Sequence, residues 1–213
     1  AKKKLKIYLG CGRKIPRNFF SLIKNLKQMM PHCPLISNSY KERGNLTKKL
    51  NSNRALIFWF EYRKKGSFGL KITSFPKGPT ISLSVENFYT FMNINFLGNG
   101  SKWSRPILTF DESFNRKPHL RIFRFIFSQV FWIKSKKKQS EAFFDHVIAF
   151  FEVNSEIHFR VYQLKTLTQS TVKKKKEIHS QLIEIGPRIT FSLIRIWGND
   201  FQRNLFFDSS FSQ

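Results

Sequence analysis

Two stretches of this 213-residue chain follow one pattern, and that repeat restricts the fold more than any single motif does. Gly78-Pro79-Thr80-Ile81-Ser82-Leu83-Ser84-Val85 parallels Gly186-Pro187-Arg188-Ile189-Thr190-Phe191-Ser192-Leu193. Earlier in each half, Leu56-Ile57-Phe58-Trp59-Phe60-Glu61 parallels Val147-Ile148-Ala149-Phe150-Phe151-Glu152, which sets Phe68 and Leu70 on Phe159 and Val161. The offset between the copies grows by about 17 residues between these blocks, and a lysine-rich stretch near 165–180 is an insert of that size. A chain built this way folds as a duplicated unit, each copy too small to complete a core alone, so the halves are expected to pack together.

Periodicity supplies the content of the unit. Leu5–Leu9 alternates and reads as a strand, and Gly10-Cys11-Gly12-Arg13 turns the chain. Pro16 suits a helix start, Phe19, Ile23, Leu26 and Met30 lie on one helical face, and Pro31 and Pro34 end the helix. Residues 35–53 are polar and read as a loop with room for a short helix. Ala55–Phe60 is a buried strand, Arg63-Lys64-Lys65-Gly66 a turn, and Phe68, Leu70 and Ile72 alternate before Ile81, Leu83 and Val85. The second half repeats the order: a strand at Pro106–Phe110, a helix from Pro118 carrying Leu120, Phe123, Phe127, Val130 and Phe131, and a buried strand at Val147–Val153. Phe159 and Val161 then alternate with His158, Arg160 and Tyr162, and strands follow at Leu182–Ile185 and Ile189–Ile196. Lys134–Gln139 and Lys173–Lys176 are basic loops. The expected class is α/β, with a first lobe over residues 1–100 and a second over 101–213.

Charge narrows the partner. Lysine and arginine number 38 against 13 acids, a net charge of +25, while 41% hydrophobic content and 25 Phe argue against a disordered basic tail. A field of that sign attracts a phosphate polyanion, because neutralised phosphates release counterions. Acidic membrane is the competing surface, but no amphipathic basic helix is evident and no apolar run reaches the ~18 residues of a span. The basic start is expected not to be a signal peptide. Cys11 and Cys33 read as free thiols of a reducing compartment.

Catalysis has little support. Asp111 and Glu112 are adjacent and would point apart on a strand; Asp145-His146 lacks a nucleophile; Cys11, His32 and Cys33 lack metal-ligand spacing. No phosphate-binding glycine loop is present. The chain is expected to be no enzyme, with no cofactor, no metal and no small-molecule substrate. Two rivals remain open: a metal-dependent nuclease using Asp111, Asp145 and Glu152, and a scaffold that mainly docks proteins.

Seven segments together resemble the Brix-domain family of ribosome-assembly factors: Met30-Pro31-His32, Phe60-Glu61-Tyr62-Arg63-Lys64, Pro76-Lys77-Gly78-Pro79-Thr80, Phe96-Leu97-Gly98-Asn99, Ser104-Arg105-Pro106-Ile107-Leu108-Thr109-Phe110-Asp111, Phe144-Asp145-His146-Val147, and Leu182-Ile183-Glu184-Ile185-Gly186-Pro187-Arg188. The likeness runs from about residue 5 to 197. It implies one Brix domain over 1–213, made of two packed lobes, each similar to the anticodon-binding domain of class II aminoacyl-tRNA synthetases. It implies a nucleolar protein that binds precursor large-subunit ribosomal RNA and works with a helical nucleolar assembly factor and other pre-ribosomal proteins. The sequence departs from the family where Trp197-Gly198-Asn199-Asp200-Phe201 replaces a Gly-Ser-Phe-Gly-Gly-like turn, and the end at Gln213 is expected to mark a minimal version.

Such a protein needs phosphate contacts from basic residues at element ends. The candidates are Arg13, Lys14 and Arg17 after the first strand, Arg63, Lys64 and Lys65 at the hairpin, Lys102 and Arg105 before the second lobe, and Arg188 in the Gly-Pro-Arg run. Arg188 has a second reading, a guanidinium aimed into a carboxylate between the lobes. His158, Arg160 and Tyr162 share one strand face that either stacks on RNA or lies partly buried. The helix 120–131 is either wedged against the sheet or offers spare apolar surface to a partner.

Overall fold

The computed structural model describes residues 5–12, 14–30, 32–36, 54–63, 66–76, 78–93, 106–131, 144–169, 177–198 and 205–209. The first half contains β1 (Lys6–Cys11), α1 (Arg17–Met29), β2 (Leu35–Ile36), β3 (Ala55–Tyr62), β4 (Phe68–Phe75) and β5 (Thr80–Tyr89). The second contains β6 (Pro106–Phe110), α2 (Ser113–Arg116), α3 (Pro118–Phe131), β7 (His146–Val153), β8 (Glu156–Gln169), β9 (Glu177–Glu184), β10 (Arg188–Trp197) and β11 (Leu205–Asp208). As expected, the class is mixed α/β. The expected lobe boundary at residue 100 lies outside the described residues; of the loop expected over 35–53, Leu35–Ile36 is instead strand β2, paired with β1, and 37–53 lies outside the described residues.

All these strands form one sheet in the order β2-β1-β3-β4-β5-β10-β8-β7-β6, with β9 beside β8 and β11 beside β10. β1 and β3 are parallel and need a crossover, which α1 provides; β6 and β7 are parallel, and α3 lies between them in the chain. Each half then continues as antiparallel strands, β3-β4-β5 and β7-β8-β10.

The halves join edge to edge through β5 and β10, antiparallel to each other. Ser84 faces Ser192, the residue that matches it in the repeated Gly-Pro blocks, while Leu83 faces Leu193 and Val85 faces Phe191. That is the pairing a local two-fold axis through Ser84 and Ser192 produces, since equivalent residues exchange contacts. The irregularities obey it as well. The register skips Glu86 on β5 and Ile194 on β10, two residues that match in the repeat, so both bulges are related by the same axis. Joining the halves this way covers one edge of each, leaving fewer unpaired backbone groups.

One face of the sheet carries the core. Ile81, Leu83, Val85, Ile189, Phe191 and Ile196 are buried on it. α1 lays Phe19, Leu22, Ile23 and Leu26 on this face, and α3 lays down Leu120, Phe123, Ile126, Phe127, Val130 and Phe131. Leu26 and Met30 from the first half meet Phe127 and Phe131 from the second over Phe58, Leu70, Phe159 and Ile189. The core is therefore continuous across the joint.

Two expectations from the sequence are corrected. The hairpin joining β7 to β8 turns in two residues, Asn154 (φ 51°) and Ser155 (φ 65°), whereas its counterpart needs residues 63–67. Position in the sheet matches Ile72, between Ile81 and Phe58, with Phe159, between Ile189 and Phe150: Phe159 falls on Ile72 and not on Phe68 because its turn is shorter, and Phe150 rather than Ala149 falls on Phe58. On either side of residues 170–176, which lie outside the described residues, the lysine-rich insert is strand: β8 and β9 pair from Tyr162 and Glu184 to Gln169 and Glu177. Lys173–Lys176 and Lys134–Gln139 lie outside the described residues. The two positive φ angles of the tight turn suit glycine better than serine. Ser155→Gly should raise stability by about 0.5–1 kcal/mol in urea unfolding; a lower midpoint would contradict this turn geometry.

Candidate nucleic-acid interface

The parallel pairing of β1 and β3 brings their C-terminal ends together, with Gly12 N donating to Phe60 O at 2.7 Å. Lys14 follows β1, Arg17 opens α1, and both are exposed. No side-chain hydrogen bond caps the start of α1, so an exposed cation sits beside free helix amides. Arg63, directly after β3, shares this edge but is already engaged. Its Nε bonds Glu61 at 3.0 Å, and Lys71 reaches the same carboxylate at 3.1 Å. Arg13, Lys64, Lys65, Lys102 and Arg105 lie outside the described residues.

The sheet face opposite the helices is polar at its centre. By strand alternation and register, Thr73, Thr80, Ser82, Ser84, Thr190 and Ser192 share it. Thr73, Thr80, Ser82 and Thr190 are buried there. Long side chains lean over them: the Arg63 guanidinium reaches Ser82 Oγ at 3.5 Å. Arg195 lies on the same face and bonds Asp208 at 2.7 Å.

Toward the second half, this face sinks into a cavity of about 330 Å³ between β5, β8 and β10. Glu86, Asn87, Tyr89, Glu156, His158, Arg160, Arg188 and Thr190 line it. Arg160 donates to Phe159 O at 2.9 Å and Ile189 O at 3.0 Å, so its guanidinium is fixed. His158 Nδ1 lies 3.3 Å from an Arg160 nitrogen and 3.3 Å from the Thr190 hydroxyl. Arginine only donates, so Nδ1 accepts and the neutral ring carries its hydrogen on Nε2. Arg188 grips Glu184 with two bonds of 2.6 Å, which pushes its pKa up. The carboxylate comes from β9 of the same half and not from across the joint. His158, Arg160 and Tyr162 are partly buried, and among the described residues no helix covers them.

Burial holds the imidazole pKa of His158 below its usual value, with Arg160 adding to the effect, and burial does the same to His119. The unfolded chain then binds more protons just below pH ~6.5, so this contribution to stability is complete above that pH and is lost as pH falls through the folded-state values. A His119→Asn/His158→Asn variant should lose less of its urea midpoint than the parent between about pH 7.5 and about pH 5. Equal losses would show that these rings do not carry the effect.

The corresponding edge of the second half holds acids, each with a partner. Asp111 accepts from the Glu112 amide at 2.6 Å and the Ser113 hydroxyl at 3.1 Å, Glu112 pairs with Arg116, and Glu152 pairs with Lys117 at 2.6 Å. Asp145 is at the other end of β7, buried and 2.6 Å from His146. Seven residues of strand put it roughly 23 Å from Glu152. The proposed metal set Asp111, Asp145 and Glu152 does not converge, and among the described residues no group of three His, Cys, Asp or Glu could hold a metal. Both cysteines are free thiols, and burial pushes Cys33 up to about 12, which makes it a poor nucleophile.

α3 is wedged against the sheet and also leaves apolar surface exposed. Six of its residues are buried, yet Phe125 is 61% exposed and borders a shallow groove with Ile122, Phe206, Pro79 and Arg121. Neither β11, which supplies Phe206, nor the cavity residues Glu86, Asn87 and Tyr89 were singled out from the sequence. One signal was available for the cavity: the apolar alternation of β5 breaks at Glu86-Asn87, where the bulge lies.

The family model described as Brix domain matches residues 12–195. The ribosome biogenesis protein brx1 of Schizosaccharomyces pombe is 34% identical over 203 residues, covering 93% of this chain and 66% of its own length. BRX1 of Saccharomyces cerevisiae is 31% identical over 186 residues, 84% of this chain and 63% of that protein. The human BRX1 homolog is 28% identical over 205 residues, 94% of this chain and 54% of that protein. The chain thus spans about two thirds of its yeast relatives and about half of the human one. In fold, it is similar to the crystal structure of a probable ribosomal biogenesis protein from Aeropyrum pernix K1, with a TM-score of 0.52, 11% identity, and coverage of 94% of this chain and 99% of that one.

Proposed function

Since the chain belongs to the Brix-domain family, we propose that it is a ribosome-biogenesis factor that binds precursor large-subunit ribosomal RNA without performing chemistry on it. The observation that carries this reading is the net charge of +25 on a chain that belongs to this family. Lys14 and Arg17 are the best-placed contacts, because they share one sheet edge, are exposed and stand where helix amides favour an anion. Arg63 and Arg188 contribute less directly, since part of each charge is already spent on a glutamate. We read the two halves as two lobes working as one body, in the nucleolus, beside a helical assembly protein and other pre-ribosomal proteins. The groove at Phe125 and Phe206 supports such a protein partner, as an exposed apolar surface with an adjacent arginine. The nuclease alternative is disfavoured by the separation of Asp145 from Glu152.

A titration of the purified chain with single-stranded RNA tests the reading. Log affinity should fall linearly with log salt, at ~0.7 per phosphate contacted. A flat response, or no binding at low salt, would refute it.

A further inference from the structure

We propose that the cavity between β5, β8 and β10 is a recognition pocket for one unpaired guanine of single-stranded RNA. This rests on the RNA-binding reading and adds to it a base contact at a defined place.

The lining argues against a phosphate. Glu86 and Glu156 both border the cavity, and the charge of Arg188 is taken up by Glu184. A phosphate placed there would face two carboxylates. In a chain with only 13 acids, two at one cavity ask for a ligand that donates hydrogen bonds.

The two-fold axis supplies an internal control. It carries Tyr89 onto Trp197, Asn87 onto Arg195 and Glu86 onto Ile194. His158, opposite Thr190, falls on Lys71, opposite Ser82; Glu156, opposite Ser192, falls on Gly69, opposite Ser84. Both sites keep an aromatic ring. Glu86 and Glu156 give way to Ile194 and Gly69 in the second site, while Asn87 and His158 give way to Arg195 and Lys71, each already paired with a carboxylate. The two carboxylates at the cavity therefore have no counterpart at the equivalent positions of the other half.

Guanine matches the first site. Its Watson–Crick edge presents two adjacent donors, N1–H and the N2 amino group, beside the O6 acceptor. The Glu86 carboxylate accepts both donors at once, and the Asn87 amide or the Arg160 guanidinium donates to O6. Adenine, cytosine and uracil do not offer that donor pair next to an acceptor. Tyr89, 41% exposed at the rim, offers a ring for stacking. The site is also preorganised, because two backbone carbonyls fix Arg160 and Glu184 fixes Arg188. A volume of about 330 Å³ is at the small end of ligand cavities and leaves room for one base.

The test is equilibrium binding of the full chain to four labelled heptamers, oligouridine with G, A, C or U at the centre. The guanine heptamer should bind about tenfold tighter than the other three, the range of a bidentate base contact. Glu86→Gln should reduce that preference several-fold, and Tyr89→Ala should remove most of the gain from the central base. The readout is a ratio between oligomers, so a partly unfolded variant lowers all four values and leaves the ratio intact. Four equal affinities with a steep salt dependence would overturn the pocket and leave the RNA-binding reading standing. A guanine preference untouched by Glu86→Gln and Tyr89→Ala would place the recognition elsewhere and also overturn it. No binding to any heptamer at low salt would overturn both.

Discussion

Replacing Phe127 by alanine should destabilise the chain by about 3–5 kcal/mol, the range for removing a buried aromatic side chain. The loss should be felt in both halves. The ring stacks on Phe123 at 4.1 Å and meets Phe150 edge-on at 5.1 Å, both in its own half. It also meets Phe58 of the first half at 5.9 Å and 87°. Helices from both halves therefore share one buried layer, and the sheet beneath is continuous through β5 and β10. Two variants retaining only Trp59 or only Trp197 as a fluorescent reporter would follow the first and second halves in urea. Adding Phe127→Ala should shift both transitions by the same amount. A shift confined to the Trp197 reporter would show that the halves unfold independently and that the shared core adds no cooperativity.

The second large effect concerns RNA. Lys14→Gln with Arg17→Gln should lower affinity for single-stranded RNA about 25-fold near 0.1 M salt, and should flatten the log–log salt slope by ~1.4. Both figures come from counterion release at ~0.7 per contact, taken twice. Arg63→Gln is the informative comparison. Its charge is shared with Glu61 and its guanidinium is drawn across the sheet toward Ser82, so its removal should cost less than either exposed residue. Filter binding or anisotropy at several salt concentrations would measure all three. An Arg63 effect as large as the double substitution would overturn the ranking. An unchanged slope in the double variant would remove this edge from the contact surface.

Much of the fold was legible in the residues. Apolar spacing in Phe19, Ile23, Leu26 and Met30 could only be a helix face, and the matched Gly-Pro blocks announced a repeat. The errors came where local pattern is blind to geometry. The register of Phe68 against Phe159 was misjudged because a two-residue turn and a longer loop look alike when only strand residues are compared. The pairing of β8 with β9 within the insert is not legible in the residues, because lysine and threonine runs carry little apolar signal, yet the two strands gain backbone pairing that does not depend on it. The candidate site was less legible still. Arg188 was known to be near a turn, but its partner could have been RNA or an acid. Glu184 decided it by standing four residues earlier on the adjoining strand.

By itself the sequence determined the α/β class, the duplication, the two amphipathic helices and the strongly positive field. Each follows from residue order or residue count, because periodicity and charge are local or additive properties. Only the tertiary structure decided that the halves meet edge to edge around Ser84 and Ser192, that Asp145 and Glu152 stand apart, and which arginines are already paired. Those outcomes depend on how distant segments come together, and a side chain's own identity does not encode what will lie across from it once the sheet has closed over its joint.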